Sequence, residues 1–324
     1  MKKNIAIVMG GFSSEVNISL KSGNVVFNHL DREKYNPFRV HVLKEKWFAL
    51  DDEENEYLIR KNDFSFTKNG NLITFDCVFN AIHGAPGENG ELLAYFSLIG
   101  IKHTSAPFYQ MALTFNKRDT LSVVKEYGIK TAVSVYVNKG DVIDLEYIIG
   151  KVGLPCFVKP NNAGSSYGIS KAHTKEDIVP AIEIAYQEDS EILIESFLDG
   201  IEVSVGVLKY KGNVKVLPIT EIVSENDFFD YEAKYEGKSQ EITPARISLE
   251  EQNRVEAIAE KVYTILKMSG FSRSEFIFVD GEPHFLEMNT VPGLTEESIL
   301  PQQAKEAGIS LKQLFDNAIE SALE

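Results

Sequence analysis

The sequence has few cysteines, few basic residues relative to acidic ones and no long hydrophobic run. Its two cysteines, Cys77 and Cys156, each lie within an apolar, strand-like run. A disulfide framework is therefore not expected, and a reducing cytoplasm is the predicted location. No histidine adjoins either cysteine, which disfavours a catalytic thiol. The apolar run before Gly10 is too short for a signal peptide or a transmembrane helix.

The shortage of positive charge limits the partners that this chain can bind. Lysine and arginine number 33 against 48 aspartates and glutamates, which gives a net charge of -15. General affinity for nucleic acid or for an anionic membrane needs a basic face and is not expected. Any bound phosphate must meet a few placed lysines. A chain of 324 residues fits two or three α/β domains, with no internal repeat or low-complexity tract.

The order of elements predicts more than one kind of sheet. Strands alternate with helices over residues 1–100, which is typical of a parallel sheet. From about Lys117 the pattern changes to a helix, short strands and a Gly/Ser loop, which indicates a second, mixed domain. A long amphipathic helix near 249–268, a hairpin and a closing helix near 310–323 follow.

The segment from Glu287 to Thr295 carries the strongest chemical signal. Glu287 and Asn289 are two apart, so on a strand both side chains leave the same face. A turn at 280–283 predicts a hairpin that brings Glu275 beside Glu287. Two carboxylates and a carboxamide without Cys or His suit Mg²⁺ held together with nucleotide phosphates. The alternative is a polar hairpin edge without a ligand.

The segment 224–246 mixes charged and aromatic residues without a helical or strand period. Loops of this length inside a compact domain are usually lids or binding loops, so Lys234 and Tyr235 are predicted to fold over bound substrate. A surface loop without a function remains the alternative.

Two loops follow strands of the first domain, where α/β proteins bind ligands. The loop 10–15 lacks the glycine spacing of a dinucleotide site, and Glu15 suits a substrate ammonium group or a simple helix start. The loop 83–90 has three glycines that permit close backbone approach. His83 and Glu88 of this loop either contact a ligand or hold the loop in its conformation.

Two further segments predict a nucleotide site. Lys159 ends an apolar strand, which is costly unless it meets an anion, and the Gly-Ser-Ser loop 164–166 offers N–H groups and hydroxyls to phosphate. The segment from Glu195 to Leu198 could pair with an adenine edge, and Glu202 could accept from ribose hydroxyls. Taken alone, the segment from Glu195 to Leu198 and Glu202 are explained more simply as a solvated strand end.

Taken in order, these segments resemble the D-alanine-D-alanine ligases of the ATP-grasp superfamily. The shared motifs GGFSSE, HGAPGENG, VKPNNAGSSYG, DYEAKY, SRSEF and EMNTVPGLT span essentially the whole chain. The resemblance implies a three-domain ATP-grasp α/β fold, with an N-terminal parallel-sheet substrate domain at 1–116, a central domain at 117–203 and a C-terminal domain at 204–324. It also implies ATP-dependent synthesis of D-alanyl-D-alanine through an acyl phosphate for peptidoglycan precursors, two Mg²⁺ ions with Mn²⁺ as a substitute, and a tendency to form homodimers.

The resemblance implies roles for individual residues. Glu15 would bind the ammonium group of the first D-alanine, close to His83, and would connect through Ser165 to Tyr235. The oxyanion would be stabilised by Arg273 and the Gly293 N–H, and the second carboxylate would be held by Ser298. The implied ATP-binding residues are Lys117, Lys159, Ser165, Ser166, Glu195, Phe197, Leu198, Glu202 and Lys234. The implied magnesium ligands are Glu275, Glu287 and Asn289.

Other functions share parts of this pattern. Ligases that join D-alanine to D-serine or D-lactate have the same fold, but Tyr235 in the lid favours an amine nucleophile and hence D-alanine. The first two motifs also disfavour an ATP-grasp ligase for unrelated substrates, and the complete set of metal ligands and lysines disfavours a non-catalytic ATP sensor. The family usually has aspartate where Glu275 stands, so the longer side chain should shift that metal site by about one methylene. It also usually has aspartate where Asn89 stands, and the loss of that charge is expected to change the bracing of the loop more than the chemistry.

Overall fold

The computed structural model of the protein describes residues 2–164, 167–224 and 239–324. Within these ranges, three main sheets with their helices follow one another along the chain. No helix in the described part combines the length and the apolar character that crossing a membrane requires.

The N-terminal sheet has the strand order β4-β3-β2-β1-β7-β8. Its strands are β1 (Lys3–Gly10), β2 (Tyr35–Val42), β3 (Trp47–Leu50), β4 (Glu56–Leu58), β7 (Cys77–Asn80) and β8 (Lys102–His103), and a separate pair is formed by β5 (Phe66–Lys68) and β6 (Asn71–Ile73). The strands β2, β1, β7 and β8 are parallel, as predicted. The edge strands β3 and β4 are antiparallel and were not predicted from the sequence. Helices α1 (Val16–His29), α2 (Glu91–Ile99) and α3 (Phe108–Phe115) accompany this sheet.

The central part has an antiparallel sheet of order β11-β10-β12-β9. Its elements are α4 (Lys117–Glu126), β9 (Ser134–Asn138), α5 (Leu145–Val152), β10 (Cys156–Pro160), β11 (Ser170–Ala172), α6 (Lys175–Ala185) and β12 (Glu191–Ser196). Side chains cap these helices, as where Asp144 accepts from the Tyr147 N–H at 3.0 Å. Such caps satisfy the free N–H groups of a first helical turn and fix where the helix begins.

The C-terminal sheet has the order β16-β15-β13-β17-β18, with β14 paired to β13. Its elements are β13 (Ile201–Tyr210), β14 (Asn213–Val216), β15 (Thr220–Ser224), β16 (Ser239–Ile242), α7 (Leu249–Ile265), β17 (Phe271–Val279), β18 (Glu282–Asn289), α8 (Ile299–Glu306) and α9 (Leu311–Leu323). Because β13 begins at Ile201, the predicted domain boundary between 203 and 204 falls inside a strand.

The predicted hairpin is present and contains an irregularity. A tight turn at Asp280 and Gly281, both with positive φ, joins β17 to β18. The register shifts between Glu275 and Phe276, so that Phe276 pairs with Phe285 while Glu275 pairs with Glu287. This bulge lets Phe285 enter the core, where its ring packs edge-on against Phe276, and still presents Glu287 on the opposite face.

Apolar clusters join the first and last parts of the chain. One cluster combines Ile7 and Phe79 of the N-terminal sheet with Leu314 and Phe315 of α9, and the rings of Phe79 and Phe315 are 5.6 Å apart. A separate cluster, which includes Val158, lies entirely within the central part. Both cysteines are buried and free, as expected.

Candidate active site

Four polar side chains share one face of the β17–β18 hairpin. Arg273 lies opposite Asn289, and Glu275 lies opposite Glu287. Since residues two apart on a strand point to the same side, the four side chains form a compact square. Arg273 is ion-paired with Glu275, and its Nη1 donates to Ser204 Oγ at 3.1 Å. The guanidinium thus compensates part of the repulsion between the adjacent carboxylates.

Lys117 approaches this square from the first residue of α4. Its Nζ lies 3.2 Å from Glu287 Oε2 and donates to the Ala163 carbonyl at 2.8 Å. The backbone nearby is fixed, because Asn161 Oδ1 accepts from the Arg118 N–H at 2.9 Å. The start of α4 therefore brings one ammonium group to both the hairpin and the Gly/Ser loop of the central part.

The half-buried Lys159 and the buried Glu195 form an ion pair on adjacent strands β10 and β12. Lys159 Nζ lies 2.9 Å from Glu195 Oε2, and Glu195 is 3% exposed. Burial alone would lower the pKa of Lys159, but Glu195 and the nearby carboxylates of Glu287 and Glu202 outweigh it and raise that pKa. Lys159 therefore stays charged, as a phosphate ligand must.

Aromatic and apolar groups lie beside this pair. The Phe197 ring packs against Phe157 with 6.2 Å between centroids, and Lys171 Nζ lies 4.3 Å from the centroid of Phe197. Leu198 and Glu202 are half-buried. Such a surface offers a planar apolar group on one side and charge on the other, which suits a nucleotide base and its ribose.

The N-terminal loops meet the central loop at Glu15. This side chain is 9% exposed. A Cβ atom placed on Gly164 would lie 2.9 Å from Glu15 Oε2, and one placed on Gly84 would lie 3.3 Å from the same atom. Both glycines therefore permit a close approach that any side chain would block. Three loops that are distant in sequence converge on one carboxylate.

Two titratable groups of the loop 83–90 have strongly shifted pKa values. Burial lowers the pKa of His83 to about 4, so its imidazole is neutral at pH 7. Its Nε2 lies 3.2 Å from Ser22 Oγ. Enclosure by protein atoms, followed by repulsion from Glu15, raises the pKa of Glu88 to about 7, although part of the residue still faces the cleft. Perturbed groups of this kind cluster at functional sites.

A cleft of about 320 Å³ connects the N-terminal loops to the hairpin. It brings together eight of the predicted site residues, namely Glu15, His83, Lys117, Arg273, Glu287, Asn289, Gly293 and Ser298. Six predicted site residues do not line this cleft, namely Glu275, Lys159, Glu195, Phe197, Leu198 and Glu202. Ser165, Ser166, Lys234 and Tyr235 lie outside the described residues.

The cleft also contains residues that sequence reasoning missed. Lys21 and Ile18 of α1 line it together with Glu15, and their spacing of three along a helix places them on one face. That spacing was the available signal. Thr295 and Glu297 line the opposite wall, and Thr295 Oγ1 lies 2.8 Å from Ser298 Oγ. No local pattern marks these two residues.

The donor atoms of the hairpin fit a hard divalent cation. Glu275 and Glu287 offer adjacent carboxylates, and Asn289 offers an amide oxygen that also accepts from the Val291 N–H at 3.1 Å. Among the described residues no group of three His, Cys, Asp or Glu side chains suited to a metal is found. Oxygen donors without thiolate or imidazole suit Mg²⁺.

Two family models match almost the whole chain. The model described as D-ala D-ala ligase N-terminus matches residues 4–106, and the model described as D-ala D-ala ligase C-terminus matches residues 123–320.

Similar proteins span the chain from end to end. The D-alanine-D-alanine ligase of Flavobacterium johnsoniae is 67% identical and covers 99% of both chains. That of Christiangramia forsetii is 59% identical and covers 100% of this chain and 99% of its own.

Solved structures show the same architecture. VanG D-Ala:D-Ser ligase from Enterococcus faecalis superposes with a TM-score of 0.88 at 30% identity, over 99% of both chains. The D-alanine-D-alanine ligase from Bacillus anthracis complexed with ATP has a TM-score of 0.80 at 26% identity, over 99% of this chain and 97% of that one. By its sequence and its ATP-grasp fold, this chain belongs to the D-alanine-D-alanine ligase family.

Proposed function

We propose that this protein joins two D-alanine molecules to D-alanyl-D-alanine, with release of ADP and phosphate, for the synthesis of peptidoglycan precursors. The observation that carries this proposal is the cleft itself. The cleft is lined by the buried carboxylate of Glu15 and by Arg273, Glu287 and Asn289 of the square. An amino acid held at Glu15 by its ammonium group would direct its carboxylate towards Arg273.

The reaction needs two steps because a carboxylate is a poor acylating agent. An oxygen of the first D-alanine attacks the γ-phosphorus of ATP, which gives D-alanyl phosphate and ADP. The amine of the second D-alanine then attacks the acyl carbon, loses a proton, and phosphate leaves. Charge moves in both steps, so fixed cations aimed at the reacting oxygens contribute most of the catalysis that the protein supplies.

The residues around the cleft divide these tasks. Lys117 and Lys159 would neutralise the phosphates of ATP. Arg273 and the Gly293 N–H would stabilise the oxyanion of the tetrahedral intermediate, and Ser298 would hold the carboxylate of the second D-alanine. The remaining nucleotide contacts are proposed to come from the segment 195–198 with adenine and from Glu202 with ribose.

The Gly/Ser loop and the lid complete the proposed site. Ser165 and Ser166 would donate to phosphate oxygens, and Lys234 would reach the γ-phosphate. Tyr235 would connect through Ser165 to Glu15. Acyl phosphates hydrolyse, so a lid that excludes water would protect the intermediate.

We propose Mg²⁺ as the ion held by Glu275, Glu287 and Asn289. When bound, it would screen the phosphate charge and orient the γ-phosphate for attack. A cytoplasmic location and the homodimer expected from the family stay predictions. Light scattering on the purified protein tests the dimer.

The direct test supplies the purified protein with ATP and Mg²⁺ and adds D-alanine, L-alanine, D-serine or D-lactate in turn. ADP release is measured, and products are identified by mass. Phosphate release with D-alanine alone, together with a dipeptide of the expected mass, is the predicted result. A mixed product that forms only when D-serine or D-lactate is added would instead assign the protein to those ligases, and no ADP release with any substrate would refute a ligase activity of this type.

A further inference from the structure

The segment that follows β18 is held by the N-terminal domain at two separate points. The Thr290 N–H donates to Glu88 Oε1 at 3.4 Å, while the Val291 N–H donates to Asn289 Oδ1 at 3.1 Å. The Leu294 N–H donates to Ser22 Oγ at 3.2 Å. Gly293, whose N–H faces the cleft in the proposed mechanism, lies between these two anchors.

Glu88 is itself held in a fixed position. Its second oxygen, Oε2, accepts from the Gly84 N–H at 3.0 Å, and its own N–H donates to the Gly84 carbonyl at 2.8 Å. Asn80 also fixes the loop 83–90. It is 5% exposed, and its Nδ2 donates to the Gly87 carbonyl at 2.9 Å. The loop 83–90 of the N-terminal domain therefore holds the backbone of the C-terminal domain through the carboxylate of Glu88.

We propose that Glu88 is a positioning residue for the ligation step, which holds the segment 290–294 so that the Gly293 N–H lies at the reacting carbonyl of the amino acid bound at Glu15. This inference rests on the proposed function and goes beyond it, because Glu88 acts through the backbone of Thr290 and not by contact with the substrate. Its loop also presents His83 to the first amino acid. The loop 83–90 would thus set the distance between the first D-alanine and the Gly293 N–H.

The chemistry of the carboxylate makes this role specific. Each oxygen of Glu88 accepts from a backbone N–H of a different domain. Glutamine has nearly the same shape but only one acceptor oxygen. In Glu88→Gln either the Gly84 or the Thr290 N–H must therefore face an NH₂ group, and an enclosed donor without an acceptor loses its hydrogen bond at a substantial cost.

The test uses the full chain and two independent measurements. Hydrogen exchange of the segment 288–294 is followed by mass spectrometry without ligands, in the wild type, in Glu88→Gln and in Glu91→Gln. Glu91 is an exposed carboxylate in the first turn of α2 and serves as the matched control. Steady-state kinetics then give kcat, the KM for each D-alanine and the dissociation constant of ADP for the same proteins.

In Glu88→Gln we expect roughly tenfold faster exchange at Thr290, because its hydrogen bond to Glu88 is lost. We also expect kcat to fall by about 10- to 100-fold, since a misplaced donor misses the transition state. ADP affinity and the KM of the first D-alanine should stay within about twofold, because both sites use other residues. Glu91→Gln should match the wild type in every measurement.

Three results would overturn the inference. Unchanged exchange of Thr290 in Glu88→Gln would show that the carboxylate does not hold the segment. Faster exchange with an unchanged kcat would show that the hydrogen bond from Thr290 to Glu88 has no part in ligation. A raised KM for the first D-alanine with an unchanged kcat would make Glu88 a substrate-binding residue. If the wild type forms no dipeptide, the proposed function fails. The exchange measurement still tests, independently of activity, whether Glu88 holds the segment 290–294.

Discussion

Removal of Lys159 should destabilise the central part of the protein as well as weaken ATP binding. In Lys159→Met the side chain keeps its approximate length and loses its charge. Glu195, at 3% exposure, is then left with the Ser134 hydroxyl, which donates to its Oε1 at 3.2 Å. Breaking a buried ion pair by removing one partner costs about 3–5 kcal/mol, because the remaining charge stays buried without a counter-charge.

The double variant separates the loss of the pair from the loss of the lysine. In Lys159→Met combined with Glu195→Leu, both charges are replaced by apolar groups of similar volume, and the free energy of unfolding should return to within about 1–2 kcal/mol of the wild type. Lys175→Met is the matched control, because Lys175 pairs with Glu146 on the surface. Loss of this surface ion pair should lower the free energy of unfolding by less than about 1 kcal/mol.

Urea unfolding followed by circular dichroism measures these free energies, and calorimetric titration with ATP measures affinity. ATP affinity should fall by about 10- to 100-fold in both variants that lack Lys159, because a charge-assisted contact contributes about 1.5–3 kcal/mol. The raised pKa of Lys159 also sets a pH dependence. The stabilisation should be fully present below the unfolded pKa of about 10.4 and lost as pH rises through the folded value. If Lys159→Met destabilises the protein no more than Lys175→Met, Glu195 does not depend on its lysine and the reasoning is refuted.

Further outcomes follow from the hairpin, the N-terminal loop and two glycines. Glu287→Gln should reduce dipeptide formation by at least about 100-fold with an unchanged unfolding midpoint, and near-normal turnover would remove the metal assignment. The pKa of His83 is lowered from 6.5 to about 4, so between these pH values only the unfolded state binds the proton. The protein should therefore lose up to about 3 kcal/mol of stability as pH falls through that window. Acid unfolding curves of His83→Gln should lack this loss. Gly200→Ala would place its Cβ atom 1.6 Å from the Phe278 carbonyl oxygen and should destabilise by about 3 kcal/mol or more. Gly150→Ala in α5 meets open space and should stabilise by about 0.5–1 kcal/mol. Urea unfolding measures the change in free energy of unfolding for both glycine variants.

Local patterns were sufficient for the hairpin that carries the predicted metal ligands. The turn residues Asp280 and Gly281 and the period of two predicted that Glu275 and Glu287 are adjacent, and the register confirms it. The bulge beside Glu275 was not predictable. It arises because Phe285 packs against Phe276 in the core, and such a contact between strands has no signature in either strand alone.

Contacts between distant segments account for the remaining differences. Lys117 meets Glu287, and Glu88 meets Thr290, only because three sheets assemble around one cleft. Nothing in the composition near Glu88 distinguishes a brace from a ligand group. The antiparallel edge of the N-terminal sheet was missed because β4 has only three residues, too few to show a period.

The apolar cluster that unites Ile7, Phe79, Leu314 and Phe315 has a consequence for how the chain can be divided. A fragment that ends near residue 116 would expose the apolar surface that α9 covers, and the remainder of the chain would expose the matching surface of α9. We therefore expect the N-terminal and C-terminal parts to unfold together, although they are distant in sequence. The central part has its own cluster around Val158, but its Leu121 and Leu193 also pack in a cluster with Phe276 of the C-terminal sheet, so cutting it out would expose apolar surface as well.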